Sequence, residues 1–385
     1  MNVLQIIPFL APEFGGSVTI AYNLSLQLQK RGHRVTILTT DYKFDAEYAH
    51  EAEKLGVEVA SFPCSINLGS LHVSPSMRKW LYMHTAQCDV LHLHNLRSYQ
   101  NIAALSCATN AAKPFVLQPH GTVPRIMDRR ILKSAYDLVW GRRLMKKADF
   151  LIAVSKMELR QFEDWGAESG RTVVVPNALD TERLRPCDDA KRTQVRNSLG
   201  VDSTSKLILY VGRIHKIKGL DFLVRSFAVL SKKRTGVKLV IAGPDDGYRE
   251  HLEGLVRNLG IDDRVIFVGF TRNVNELYGA ADLLVCPAIY EIFGLVPFES
   301  LVCGTPVVVT DGCGCGDLVR EANCGYIVEY GNIAELNDTI EIALDDNQET
   351  KEMIARGQDY VLRNLNWEEA TKRIESVYEN CIHHV

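Results

Sequence analysis

The sequence predicts an α/β protein made of two doubly wound, parallel-sheet domains, and three observations carry that prediction. Short apolar runs alternate with amphipathic stretches along almost the whole chain, the pattern of strands joined by crossover helices. The alternation lapses between Leu184 and Ser205, where Arg185-Pro186-Cys187-Asp188-Asp189 and Asp202-Ser203-Thr204-Ser205 are polar and punctuated. At about 150 residues per domain, a chain of 385 residues has the length of two domains or three. The expected division is a first domain over 1–185, a second over 186–365 and a terminal helix over 366–385.

Val3–Pro8 reads as a strand, Gly15-Gly16 as a turn, and Ser17–Arg31 as a helix with Ile20, Leu24 and Leu28 on one stripe. Gly32 stops the helix and Val35–Thr39 is the next strand, completing one βαβ unit. Val90–Leu93, Phe115–Leu117, Phe150–Val154 and Thr172–Val175 continue the series. After the lapse the strands are Leu207–Val211, Leu239–Ala242, Val265–Val268, Leu283–Cys286, Val307–Thr310 and Tyr326–Val328. Trp367–Cys381 is a last amphipathic helix with no strand after it.

Composition narrows the function. Hydrophobic residues are 46% and charged residues 24%, a globular balance that excludes disorder, collagen and coiled coil. Lys plus Arg number 44 against 47 Asp plus Glu, a net charge of −3. That excludes bulk nucleic-acid binding and leaves room for a local basic patch. No apolar run approaches the ~20 residues of a membrane span. Met1-Asn2-Val3-Leu4-Gln5-Ile6-Ile7-Pro8 has neither the basic start nor the small-residue cleavage site of a signal peptide. Ten cysteines include no Cys-x-x-Cys, and the cluster Cys303, Cys313, Cys315 and Cys324 lacks the paired knuckles of a structural zinc site. They read as reduced thiols in a cytoplasmic protein.

Ligands of open α/β sheets bind beyond the carboxyl ends of the strands, and the unusual residues fall there in both halves. The first half offers Gly15-Gly16, His94-Asn95, His120-Gly121, Ser155 and Asn177. The second offers Gly212-Arg213, Gly243-Pro244, Gly269-Phe270, Pro287 through Phe293, and Asp311-Gly312. Two such crevices facing each other would form a cleft for a large polar ligand. Neither G-x-G-x-x-G nor G-x-x-x-x-G-K-[ST] occurs, against a nicotinamide site and a P-loop. Gly15-Gly16 before a helix suits a phosphate, although a plain turn explains it too. Arg213 and Lys218 sit beside an expected helix start, where the dipole repels cations. A shared anion resolves that conflict, and solvated surface bases are the alternative. Glu299 falls in a helix among Leu295, Val296, Phe298 and Leu301, where a carboxylate needs partners; a ribose diol is a natural one. Glu291 precedes that helix at the sheet's edge, beside the N–H groups of Gly294, Leu295 and Val296.

Gly-Arg-x₄-Lys-Gly over 212–219, Glu291-x₇-Glu299 with Phe293-Gly294-Leu295, and the Gly15-Gly16 loop resemble the retaining GT-B glycosyltransferases of family 4. Asp89-Val90-Leu91-His92-Leu93-His94-Asn95, His120-Gly121, Val154-Ser155, Val175-Pro176-Asn177 and Gly304-Thr305-Pro306-Val307-Val308 match in order. The resemblance spans about residues 3 to 380. It implies two Rossmann-like domains facing each other across a cleft, with the terminal helix crossing back to the first. It implies a nucleotide-sugar donor, a UDP-sugar favoured and a GDP-sugar open, held mainly by the second domain. Arg213 and Lys218 would take the diphosphate, Glu299 the ribose, and Glu291 the sugar hydroxyls, with backbone help from Phe293, Gly294, Leu295 and Val296. Gly269, Phe270, Thr271 and Arg272 would lie near the base. Gly15 and Gly16 would close over the phosphates, and His120 would lie near the reacting sugar. The acceptor, a glycan or a lipid-linked sugar, would bind the first domain near His94, Asn95 and Asn177. No metal and no cofactor are expected, and Asp245-Asp246 reads as a turn.

No carboxylate nucleophile is evident in the first domain. The family reading is therefore a same-face displacement in which the departing diphosphate takes the acceptor proton, and its stabilisation is the main task. The catalytic set is Arg213, Lys218, Glu291 and His120. Ala178 after Asn177, Ile292, and Thr310-Asp311-Gly312-Cys313-Gly314-Cys315-Gly316-Asp317 depart from the family pattern. A nucleotide-sugar 2-epimerase of the same fold and a non-catalytic nucleotide-sugar-binding partner are the alternatives. Between 125 and 147, eight bases (Arg125, Arg129, Arg130, Lys133, Arg142, Arg143, Lys146, Lys147) face two acids, Asp128 and Asp137. Ile131, Leu132, Leu138, Val139 and Trp140 interleave, so the stretch is either a solvated helix face or a docking surface for an anionic membrane leaflet. The second case would place a cytoplasmic enzyme on the inner membrane face.

Overall fold

Five consecutive strand residues, Val90–His94, are buried without exception. Such a run belongs to a sheet covered on both faces. The computed structural model describes residues 1–68, 71–125, 130–182, 184–345 and 347–383; Asp128 and Arg129 of the basic stretch lie outside the described residues. The chain divides into two compact units, Met1–Ala178 with Trp367–Val385, and Leu179–Asn366.

The first unit runs β1 (Asn2–Ile6), α1 (Gly16–Lys30), β2 (Arg34–Thr40), α2 (Ala46–Lys54), β3 (Glu58–Phe62) and the antiparallel pair β4 (Ile66–Leu68) and β5 (Leu71–Val73). It continues with α3 (Pro75–His84), β6 (Val90–His94), α4 (Tyr99–Ala111), β7 (Phe115–Gln118), α5 (Arg130–Tyr136), α6 (Arg142–Lys147), β8 (Phe150–Ala153), α7 (Lys156–Asp164) and β9 (Thr172–Val174). Seven of these strands form one parallel sheet, in the order β3-β2-β1-β6-β7-β8-β9. Register places Gln5 opposite His92 and His94 opposite Gln118. β3 and the β4–β5 pair add to the expected strands. β3 forms the sheet's edge and is only partly buried, so its sequence lacks a continuous apolar run. Local side chains start most helices: Asp45, Ser74, Ser98 and Ser155 accept from backbone N–H groups in the first turns of α2, α3, α4 and α7. Ser155, one of the polar groups at the strand ends, is thereby a cap.

The second unit runs α8 (Asp189–Ser198), β10 (Lys206–Val211), α9 (Leu220–Lys233), β11 (Val237–Ala242), α10 (Arg249–Leu259), β12 (Val265–Gly269), α11 (Val274–Ala280) and β13 (Leu283–Cys286). Then come α12 (Val296–Val302), β14 (Val307–Thr310), α13 (Gly314–Ala322), β15 (Tyr326–Val328), α14 (Ile333–Leu344) and α15 (Gln348–Asn364). Six parallel strands lie in the order β12-β11-β10-β13-β14-β15, all at or near their expected positions. The last helix, α16 (Trp367–His383), packs Ala370, Ile374, Val377 and Tyr378 into the core formed by Val18, Ala21 and Leu28 of α1.

The boundary falls at Ala178/Leu179, ahead of the expected 185/186. The Leu179 N–H donates to the Leu365 carbonyl at 2.8 Å, which ties the incoming chain to the end of α15. Arg192 and Arg196 of α8 bond to the Gly279 and Ala280 carbonyls and to Asp282. The polar stretch therefore belongs wholly to the second unit.

Candidate functional site

In the second unit the strand order reverses between β10 and β13, the position where open sheets bind ligands. The loops leaving these strands pack on each other: the Ile289 N–H donates to the Ile217 carbonyl at 2.9 Å. Gly219 has φ 69°, and a Cβ there would lie 1.8 Å from the Pro287 carbonyl oxygen, so glycine alone fits. The ends of β10, β11 and β12 are laced together. The Gly212 N–H donates to the Ala242 carbonyl at 3.0 Å, and the Gly243 N–H to the Gly269 carbonyl at 2.8 Å. Thr310–Gly316, the segment that departs from the family pattern, is the floor under Glu291–Gly294. The Gly314 N–H donates to the Glu291 carbonyl at 2.7 Å, and a Cβ on Gly314 would meet the Ile292 carbonyl oxygen at 1.8 Å. Cys313 caps α13, its Sγ 3.1 Å from that of Cys315, and both are buried.

Arg213, Lys218, Glu291 and Glu299 each have a specific partner. The Lys218 Nζ donates to the Glu291 carboxylate in a partly buried ion pair. Arg213, about half exposed, pairs with Asp246. Asp245 and Asp246 both lie in the turn ahead of α10, as expected; Asp245 accepts from the N–H groups of Tyr248 and Arg249, while the Asp246 carboxylate reaches Arg213. The Tyr278 hydroxyl donates to Glu299 Oε2 at 2.6 Å. Burial pushes the Glu299 carboxyl above its usual range, and the Tyr278 bond opposes that rise. Phe293 is buried with its ring against Phe298, which leaves only its backbone to a ligand. Phe270, by contrast, stands 52% exposed just beyond β12. The Thr271 hydroxyl accepts from the Asn273 N–H at 3.1 Å, and Arg272 is exposed. Leu295 and Val296 are partly buried at the start of α12. Two cations, two carboxylates and an open aromatic ring thus share one end of the sheet.

In the first unit α1 starts at Gly16, and Gly15, at φ 76°, contributes no side-chain cap. His94 is fully buried, its Nδ1 2.8 Å from His120 Nε2 and its Nε2 2.7 Å from Gln5 Oε1. It has no face for an acceptor, contrary to the expectation from sequence; it acts on His120. His120 is partly exposed and left-handed at φ 53°. Asn95 is left-handed at φ 61°, and its carbonyl accepts from Asn101 Nδ2 at 2.6 Å. Asn177 keeps a buried Oδ1 without a partner.

Sequence reasoning missed Tyr278, Gln5 and Glu158, and the pairing of Asp246 with Arg213. Glu158 is fully buried and accepts from the Gly121 and Val154 N–H groups. Burial pushes its carboxyl up to about 7 against the pull of those two bonds. The Ser155-x-x-Glu158 spacing of a capping box was its signal.

The basic stretch is exposed on α5, the π-helical turn Asp137–Gly141 and α6. Ile131, Leu132, Leu138, Val139 and Trp140 are all exposed, Ile131 to 86%. Asp137, counted as an opposing acid, is fully buried between Arg97 and Arg125. Arg130, Arg142, Arg143, Lys146 and Lys147 are exposed and carry no ion pair among the described residues. No helix among the described residues is long and apolar enough to cross a membrane.

Two parallel-sheet α/β units, each with its polar groups at the carboxyl edge, define a GT-B protein. Residues 14–183 match the family described as Glycosyltransferase Family 4, and residues 191–360 match Glycosyl transferases group 1. N-acetyl-alpha-D-glucosaminyl L-malate synthase of Bacillus anthracis is 26% identical over 380 residues, 96% of this chain and 95% of that one. The lipopolysaccharide core biosynthesis mannosyltransferase LpsB of Rhizobium meliloti is 31% identical over 274 residues, 68% of this chain and 77% of that one. The crystal structure of Anabaena HepE in complex with UDP-glucose superposes with a TM-score of 0.82 at 20% identity, covering 99% of this chain and 100% of that one. The chain belongs to the GT-B glycosyltransferases of family 4.

Proposed function

We propose that the protein transfers a sugar, with retention, from a nucleoside diphosphate sugar to an acceptor in glycan synthesis, without a resident metal. The observation that carries this reading is the set of three pairs at the end of the second sheet: Arg213–Asp246, Lys218–Glu291 and Glu299–Tyr278. A diphosphate entering there would draw Arg213 and Lys218 from their carboxylates and supply the same charge to each. Their two positive charges would stabilise the departing diphosphate, the task a metal performs elsewhere. Glu291, released from Lys218, would accept from sugar hydroxyls. Glu299, anchored by Tyr278 through one oxygen, would clasp a ribose diol with the other, and Phe270 would offer a face for the base. The acceptor is assigned to the carboxyl edge of the first unit, at His120, Asn95 and Asn177. The UDP-glucose bound by HepE supports a nucleotide-sugar donor, UDP-sugar first, and the mannosyltransferase relative in lipopolysaccharide core biosynthesis supports sugar transfer to a glycan.

The test is incubation with UDP- and GDP-sugars and a panel of glycan acceptors, followed by NMR, with and without EDTA. The expected product keeps the anomeric configuration of the donor, and EDTA leaves the rate unchanged. Interconversion of two sugars without acceptor would instead establish an epimerase.

The exposed apolar residues of 130–147 favour the membrane reading over a solvated face, because a solvated face has no use for Ile131, Leu132 and Leu138 in water. The same reading makes the acceptor lipid-linked and the enzyme peripheral on the cytoplasmic leaflet. Flotation with anionic vesicles is expected to carry the protein, less so as salt rises, and to fail when Arg142, Arg143, Lys146 and Lys147 become Ser. Each base contributes up to about 1 kcal/mol at such a surface. Absence of flotation at low salt would leave a soluble acceptor.

A further inference from the structure

We propose that Gln5, His94 and Tyr378 are positioning residues that hold His120 as a neutral imidazole with its proton on Nε2 and Nδ1 bare. His120 then meets a sugar hydroxyl as a hydrogen-bond acceptor. The inference rests on the reading of His120 as a group that faces a sugar, and assigns how it is oriented.

The protons follow from the geometry in order. Gln5 turns its NH₂ toward the Tyr378 hydroxyl at 3.2 Å and its Oε1 toward His94 Nε2 at 2.7 Å. An amide oxygen only accepts, so the His94 proton sits on Nε2. A neutral imidazole has one N–H, so His94 Nδ1 is bare. It lies 2.8 Å from His120 Nε2, which must donate. His120 Nδ1 is left as the acceptor. Gln5, His92, His94 and Tyr378 are fully buried or nearly so, and burial disfavours a charged imidazole at every step.

Reversing the Gln5 amide would move each proton to the other nitrogen and make His120 Nδ1 a donor. The rest of the cluster decides against that arrangement. Tyr378 accepts from Gln5 and therefore gives its own proton to His92 Nδ1, 2.7 Å away. His92 then carries its proton on Nε2. His92 Nε2 and Gln118 Oε1 are both buried, and the Gln118 side chain interacts with His92 in the sense that favours a proton on His92. With Gln118 presenting its oxygen they are a complementary donor and acceptor; reversing Gln5 would make both acceptors unless the buried Gln118 amide turned over as well. The backbone is fixed as well: His120 is left-handed, and Glu158 grips the N–H of Gly121 beside it. Tyr378 belongs to α16, so the end of the chain sets the protonation of a group at the sheet's carboxyl edge.

The test uses the full chain labelled with ¹⁵N-histidine. Multiple-bond ¹⁵N–¹H spectra are expected to show His120 protonated at Nε2 and bare at Nδ1. Tyr378→Phe, which keeps the ring and frees Gln5 to reverse, is expected to give a mixture of both tautomers. A wild-type His120 protonated at Nδ1, or a Tyr378→Phe spectrum identical to wild type, overturns the proposal. These spectra need no substrate, so they stand even if no donor is turned over. With a donor in hand, His94→Phe is expected to lower kcat about tenfold with KM little changed, the size of effect expected when one hydrogen bond is lost. His94→Phe with His120→Phe should be no slower than His120→Phe alone. Losses that multiply in the double variant would mean that His94 acts independently of His120, against the proposal.

Discussion

Lys218→Ala is expected to lower turnover by ~10²–10³-fold, the usual loss when one preorganised charge at a departing anion is removed. Lys218 is the more buried of the two cations and is held by Glu291. Its removal leaves the partly buried Glu291 carboxylate unpaired and, on the proposed reading, takes a positive charge from the departing diphosphate. Arg213 is about half exposed and paired with Asp246, so Arg213→Ala should cost less, about 1.5–3 kcal/mol as one charge-assisted contact. Glu299→Ala has a different signature. Its proposed partner is the ribose, which is bound alike before and during transfer, so KM should rise by about 1.5–3 kcal/mol with kcat nearly unchanged. Steady-state kinetics on the three variants separate these effects. An unchanged kcat/KM in all three would remove the site from the end of β10 and β13.

The first unit is expected to lose stability steeply in mild acid. Burial holds the imidazoles of His92 and His120 down to about 3, and that of His94 well below its usual range. A histidine depressed in the folded state is protonated first in the unfolded chain. Its contribution is complete above the ordinary value near 6.5 and is lost as pH falls toward the folded value. Glu158 has the opposite sign. Its folded value of about 7 lies above the ordinary carboxylate, so its contribution is complete in acid and lost as pH rises through 7. In mild acid the depressed histidines, His72 among them, favour the unfolded chain and outnumber Glu158, so the first unit is expected to lose stability as pH falls from 7 to 5. All four tryptophans, Trp80, Trp140, Trp165 and Trp367, lie in the first unit, so urea unfolding followed by tryptophan fluorescence reports on this unit alone. A midpoint that does not move between pH 7 and pH 5 would contradict the neutral histidine cluster.

The elements best read from sequence were those whose signal is local. All six strands of the second sheet are short, apolar and fully bounded by turn residues, and each appears at or near its expected place. β3 was not legible because an edge strand needs only one covered face. The domain boundary was misplaced because composition marks a polar stretch but does not show the bond from Leu179 to Leu365 that assigns it. Arg213, Lys218, Glu291 and Glu299, which come together at one end of the second sheet, were singled out by spacing and by the cost of an isolated carboxylate among apolar residues. Their partners were not: Asp246 and Tyr278 lie 33 and 21 residues away from the groups they hold. Gln5 and Tyr378, 373 residues apart, meet only because α16 returns to the first sheet.

The most direct measurement is calorimetric unfolding of the wild type, Lys218→Ala and Glu299→Ala in the presence of UDP, GDP or ADP. A ligand at 100 times its Kd adds about 2.7 kcal/mol to the folded state. The expected result is that one nucleoside diphosphate raises the unfolding temperature of the wild type, UDP first, and that both substitutions remove most of the shift. If no nucleoside diphosphate stabilises the wild type, or if all three proteins shift alike, the groups at the end of β10 and β13 do not form a nucleotide-sugar site.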